Sequence, residues 1–249
     1  MNSEYSANRL KITPNMRWTV ELTDVIKCLL VEKADPTWKE PFHSEQVSAL
    51  FRFLQGLLLV MAHYQDLSKA LMDIIDLLVT EEKCLGYSEN MPSVSFSDKF
   101  LAPHDWVGPG NVLHALFNWT SRDLPKATIP CGFSSQCAEV ISKFTAAKPD
   151  LVDMKDGHSR TPLHYLLEGC FQDGGTELIL VPTISLLATR NNVNAKDNNL
   201  VTPYTWVITA KHRREDEVQR KAALSDIEDI LCHNGADIET ARGGLHVTM

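Results

Sequence analysis

The peptide Val152-Asp153-Met154-Lys155-Asp156, then four residues, then Thr161-Pro162-Leu163-His164, returns farther along the chain. It reappears as Val193-Asn194-Ala195-Lys196-Asp197, four residues, then Thr202-Pro203-Tyr204-Thr205. Both blocks recur at one interval of 41 residues, from 152 to 193 and from 161 to 202. A fixed interval of tens of residues points to stacked units and outweighs local propensity. Thr161 suits the N-cap position, its hydroxyl placed to accept from an orphan backbone N–H of the first helical turn. Pro162 follows at the first helical position, where its missing N–H costs nothing. Leu163, Leu166 and Leu167 then share one buried stripe. Upstream, residues 152–160 alternate apolar and polar around Gly157 and suit an extended turn or short hairpin. A unit of turn, helix and returning helix cannot bury its apolar faces alone, so neighbours must stack on it.

These blocks resemble the ankyrin repeat, whose signature includes T-P-L-H-x-A and whose usual period is about 33 residues. Asn234-Gly235-Ala236-Asp237-Ile238-Glu239 is similar to the G-A-D-V-N ending of that family, and Gly235 falls where a helix C-cap needs positive φ. Asn111-Val112-Leu113-His114-Ala115-Leu116 carries the T-P-L-H-x-A block with two substitutions. Asn111 keeps the capping chemistry of threonine, whereas Val112 loses the proline. Successive units lie 50 (113 to 163), 41 and 45 (193 to 238) residues apart, which implies insertions. Thr120–Ser134, Gly169–Thr176 and Lys211–Lys221 supply them, and each doubling of loop length costs only about 0.6 kcal/mol. The returning helices are expected over Gln136–Ala147, over Glu177–Thr189 with Pro182 near its start or kinking it, and over Ser225–His233. The units span about 105–155, 156–196 and 197–241 within a region 101–249. Arg242-Gly243-Gly244-Leu245-His246 hints at a further unit, so the end is either a short cap or part of a longer protein.

Residues 1–17 are polar and expected to be flexible. Residues 18–100 form a helical region. In it Val25-Ile26-Lys27-Cys28-Leu29-Leu30 through Asp35-Pro36 resembles the end of an ankyrin unit, with Lys33 where the family usually has glycine. Apolar residues at three- and four-residue steps predict helices over Ser44–Tyr64 and Leu67–Val79. The region is either a set of degenerate repeats or a capping module. Gly86–Gly110, rich in Ser, Pro, Gly and Asn, reads as a long connection. The expected fold class is therefore all-α: an ankyrin-like helical-repeat solenoid with short β-hairpin or turn fingers and an N-terminal helical region.

The chain has 249 residues, 44% hydrophobic and 22% charged, as a folded protein should. A net charge of −8 makes nonspecific nucleic-acid binding a poor default, and Lys211-His212-Arg213-Arg214 reads as a solvated run. Residues 1–14 lack a signal-peptide core. Leu57-Leu58-Leu59-Val60-Met61-Ala62 falls far short of the ~20 residues of a membrane span. Six scattered cysteines without a CxxC pair read as reduced thiols. A cytoplasmic or nuclear protein, with no membrane and no nucleic acid as partner, is expected.

No phosphate-binding loop, G-x-S-x-G elbow or H-E-x-x-H motif occurs. Cys131 and Cys137 with His104 or His114 lack the spacing of a structural zinc site. No catalytic residue, metal ligand or cofactor is therefore assigned. The resemblance implies a structural role for His114 and His164, bonding backbone in neighbouring turns. It also implies recognition of another protein through the hairpin tips and the exposed face of each first helix. Carried onto matching positions, it singles out Trp106, Asn118 and Trp119, then Gly157, His158, Arg160 and Glu168, then Asn198, Asn199, Val201 and Thr209. The alternatives are a cysteine hydrolase built around Cys131, Cys137 or Cys170, with His164 six residues before Cys170, and a regulatory or targeting piece of a larger protein.

Overall fold

Asp156 and Asp197, 41 residues apart, build the same turn. In each, the aspartate N–H donates to the carbonyl four residues on, Arg160 at 2.9 Å and Val201 at 3.0 Å. Its Oδ1 accepts two backbone N–H groups at 2.8 Å, from His158 and Arg160 in one turn and from Asn199 and Val201 in the other. Ser159 and Leu200 close these turns at φ 62° and 64°. That left-handed backbone costs a side-chain-bearing residue about 1 kcal/mol. The two turns are joined: Asn198 N–H donates to the His158 carbonyl at 2.9 Å. We call residues 154–160 and 195–201 the first and second fingers.

The computed structural model describes residues 50, 53, 54, 57, 68–86, 89–92, 106–117, 133–172, 177–213, 218–239 and 241. The described part is predominantly helical: α1 Ser68–Thr80, α2 Glu82–Leu85, α3 Val112–Phe117, α4 Phe133–Ala147, α5 Pro162–Gln172, α6 Glu177–Leu187, α7 Pro203–Arg213 and α8 Val218–His233. A 3-10 turn, Pro149–Val152, leads into the first finger. Helices α3, α5 and α7 pack in succession, as do α1, α4, α6 and α8, and α5 and α7 each pack on the helix that follows them. The core runs between these rows through Ile74, Ile75, Val140, Ile141, Phe144, Leu163, Leu166, Leu167, Ile184, Leu187, Ile227 and Leu231. Leu50, Leu54 and Leu57, helical and buried, join the same core.

Several expected boundaries move. Gly86–Gly110 is not a plain connection: β1, Glu89–Pro92, pairs antiparallel with β2, Trp106–Gly110, in the register Glu89↔Gly110 and Pro92↔Trp106. Pro92 and Pro109 are tolerated because a two-stranded sheet has an open edge on either side. Phe133–Ser135 belongs to α4 and Val218–Leu224 to α8, so both returning helices begin earlier than expected. Pro182 lies mid-helix in α6, which ends at Leu187 rather than Thr189. At the end of α8, Gly235 has φ 86°. There Ala236 N–H reaches the Leu231 carbonyl and Gly235 N–H the Cys232 carbonyl, both at 2.9 Å, a Schellman cap. The ankyrin-like ending at Val25–Pro36 and all of the expected helix Ser44–Tyr64 except residues 50, 53, 54 and 57 lie outside the described residues, as do 65–67, 87–88, 93–105, 118–132, 173–176, 214–217, 240 and 242–249.

Candidate functional site

The joints between successive helices are built from histidine. Asn111 caps α3: its Oδ1 accepts the N–H groups of Leu113 at 2.9 Å and His114 at 3.2 Å, while its Nδ2 donates to the Leu151 carbonyl at 2.8 Å. His114 Nδ1 accepts the Asn111 N–H at 3.1 Å. With Nδ1 accepting, the ring proton sits on Nε2 and donates to the Arg160 carbonyl at 3.0 Å. His164 repeats the pattern, Nδ1 accepting the Thr161 N–H at 3.1 Å and Nε2 donating to the Val201 carbonyl at 3.2 Å. Thr161 therefore caps differently from expectation. Its hydroxyl bonds the His164 ring, 2.9 Å away, rather than a backbone N–H. At the equivalent third position Thr205 Oγ1 reaches the Ala241 carbonyl at 3.3 Å. The two histidine joints each bond the carbonyl where the next finger ends. Burial pushes the His114 pKa down to about 4 and the His164 pKa down to about 3, so both rings are neutral at pH 7.

Arg160 is not on the surface. It is 5% exposed and held in a charged cluster with Asp156, Tyr165 and Glu168, all buried. Its Nε donates to Asp156 Oδ2 at 3.2 Å and its Nη2 to the Tyr165 hydroxyl at 2.6 Å. Nη1 faces Glu168 Oε2 at 3.6 Å. Tyr165 donates onward to Asp156 Oδ2 at 2.7 Å, and the guanidinium lies 4.2 Å from the centroid of its ring. Burial works against the guanidinium charge, but Tyr165, Asp156 and Glu168 outweigh it and hold the Arg160 pKa above the usual arginine value. Every residue from Thr161 to Glu168 is buried, so this stretch of α5 presents no open face.

The expected partner contacts consequently separate into three groups. Gly157, Asn198 and Asn199 are exposed on the fingers and His158 is half-buried beside them. Arg160, Glu168 and Val201 are corrected to interior residues: the first two form the charged cluster, and Val201 packs at 4% exposure where His164 bonds its carbonyl. Thr209 is half-buried, with its hydroxyl turned back to the Thr205 carbonyl at 2.9 Å. Trp106 is placed by its backbone in β2, whereas Asn118 and Trp119 lie outside the described residues.

The fingers carry residues that motif matching passed over. Leu200 is 58% exposed, the largest exposure among the exposed large hydrophobic residues described. Lys155 and Lys196, at equivalent positions 41 residues apart, are exposed as well. The signal was in the repeat itself, because alignment at that interval puts Leu200 opposite Ser159.

Of the cysteines raised for catalysis, Cys137 is 1% exposed in α4, and burial pushes its thiol pKa far above the ordinary value, the reverse of what a nucleophile needs. Cys131 lies outside the described residues, and Cys170 is placed only by its backbone in α5. Among the described residues no group of His, Cys, Asp and Glu could hold a metal ion, and no helix is long and apolar enough to cross a membrane. No protein family, curated protein or solved structure matches this chain.

Proposed function

We propose that this chain is a non-catalytic protein-binding module of ankyrin-like helical repeats, and that it meets its protein partner with its fingers. The observation that carries this reading is the paired finger turns. Their backbones are fixed by Asp156 and Asp197 and joined from Asn198 to His158, yet Gly157, Asn198, Asn199 and Leu200 stand in solvent. A rigid, exposed, irregular edge on a helical scaffold is what a recognition surface requires, because little ordering entropy remains to be lost on binding. The buried Thr161–Glu168 stretch moves the proposed surface from the helix faces to the finger tips. The T-P-L-H-type blocks, the histidine joints and the Gly235 cap support the ankyrin-like assignment.

The test compares quantitative affinity capture by the parent chain, by Asn199→Glu on the second finger and by Ser225→Glu on the exposed side of α8. Asn199→Glu is expected to lose, by tenfold or more, proteins that Ser225→Glu retains. Equal capture by both variants would remove the fingers from the interface.

A further inference from the structure

Leu200 combines two features that oppose each other. Its backbone is left-handed, at φ 64°, and its side chain is 58% exposed. A bulky residue at positive φ is a genuine outlier, and an asparagine there would relieve the strain. Neither feature is offset by packing, since a leucine that exposed gains little from burial. Strain of this kind, held in place by surrounding bonds, clusters at ligand-binding positions. The surrounding bonds are present: Asp197 accepts from Asn199 and Val201 on either side, and Leu200 N–H itself donates to the Asp197 carbonyl at 3.0 Å.

Within the two fingers the exposed charges are both basic. Lys155 and Lys196 project from equivalent positions of two fingers linked by the Asn198–His158 bond. The acidic residues of the same fingers are withdrawn: Asp156 is buried against Arg160, and Asp197 is half-buried with its carboxylate turned onto backbone N–H groups. Met154, 39% exposed, adds a second apolar side chain next to Lys155. A chain of net charge −8 thus exposes two lysines and two apolar side chains on its fingers.

We infer that the fingers form a docking site for an acidic peptide segment of a protein partner, with a bulky apolar side chain of that segment seated on Leu200 and its carboxylates facing Lys155 and Lys196. This rests on the finger reading proposed above and names the chemistry of what binds there. Leu200 is the anchor. The lysines set orientation and attract the partner from a distance, so the interaction weakens as salt rises.

The experiment selects random dodecapeptides on the full chain and measures the enriched peptides by fluorescence anisotropy against four proteins: parent, Leu200→Asn, Lys155→Glu/Lys196→Glu and Asn199→Glu. Enriched peptides should carry aspartate or glutamate around a bulky apolar residue. Leu200→Asn should weaken them tenfold or more while its Tm stays equal to or above the parent's, which separates lost recognition from lost folding. Charge reversal at the two lysines should weaken them at least as much, and raising KCl from about 50 to about 500 mM should weaken parent binding. Peptides that need Asn199 but lack acidic residues, or that bind Leu200→Asn as well as the parent, would overturn this inference and leave the finger reading standing. Peptides indifferent to all three variants, or no enrichment at all, would overturn both.

Discussion

Arg160 shows how a charge misleads when read alone. In the sequence it precedes a helix cap on a presumed surface, and arginine is rarely buried unless paired. The structure pairs it with Asp156, Tyr165 and Glu168 at 5% exposure. Removing one member of such a cluster leaves the others charged and uncompensated, typically at a cost of about 3 kcal/mol or more. Arg160→Met should therefore destabilise the fold by about that much, read as a lower urea midpoint with an unchanged slope. Arg160→Lys should lose less, because it keeps the charge but not the planar fork that reaches Asp156 and Tyr165 together. Equal stability of Arg160→Met and parent would mean that the cluster contributes nothing net. None of this follows from spacing, because the partners converge from a turn and a helix whose packing the sequence does not print.

The turn-and-cap elements were the most legible part of the chain. The 41-residue interval became two turns with matching bonds and matching left-handed residues. The Asn111 cap and the positive φ of Gly235 also follow from residue type alone. The cap at Thr161 was misread because the histidine three residues on competes for its hydroxyl, a tertiary detail tied to the bond from His164 to Val201. The β1–β2 hairpin was missed because Pro, Gly and Ser mark turns wherever they occur, whereas pairing depends on a partner strand some fifteen residues away. The proposed finger site was half legible: Gly157, Asn198 and Asn199 came from the family resemblance, whereas Leu200, visible in the repeat alignment only as the counterpart of Ser159, is singled out by its exposure and φ. Gly235→Ala tests the cap at the scale where it acts. Nothing lies within 4 Å of an added Cβ, so any loss comes from the backbone angle alone. A loss of about 1 kcal/mol is expected from chemical denaturation, and no loss would show that the cap relaxes.

At the scale of the whole molecule, the histidine joints tie the finger turns to the helix rows, and their chemistry makes that coupling sensitive to acid. His114 and His164 accept a backbone N–H at Nδ1 and donate from Nε2, an arrangement open only to the neutral ring. Each folded-state pKa, about 4 and about 3, lies below the ordinary histidine value of 6.5. Between those limits the unfolded chain binds more protons than the folded one, so stability falls with falling pH. The contribution is fully present above pH 6.5, diminishes below it, and is exhausted once pH drops past the folded values. At about 1.4 kcal/mol per unit, the His114 ring accounts for on the order of 3 kcal/mol and the His164 ring for on the order of 5 kcal/mol over the full range. The urea midpoint of the parent should thus decline from pH 7 to pH 4.5. His114→Gln/His164→Gln, which titrates at neither joint, should start lower at pH 7 and decline less over the same interval. Because the bonds at stake tie each finger to the helix before it, the parent should also lose cooperativity in acid, seen as a shallower transition. If parent and double variant decline in parallel, the acid sensitivity belongs to the carboxylates, and the joints do not govern how the fingers hold to the helix rows.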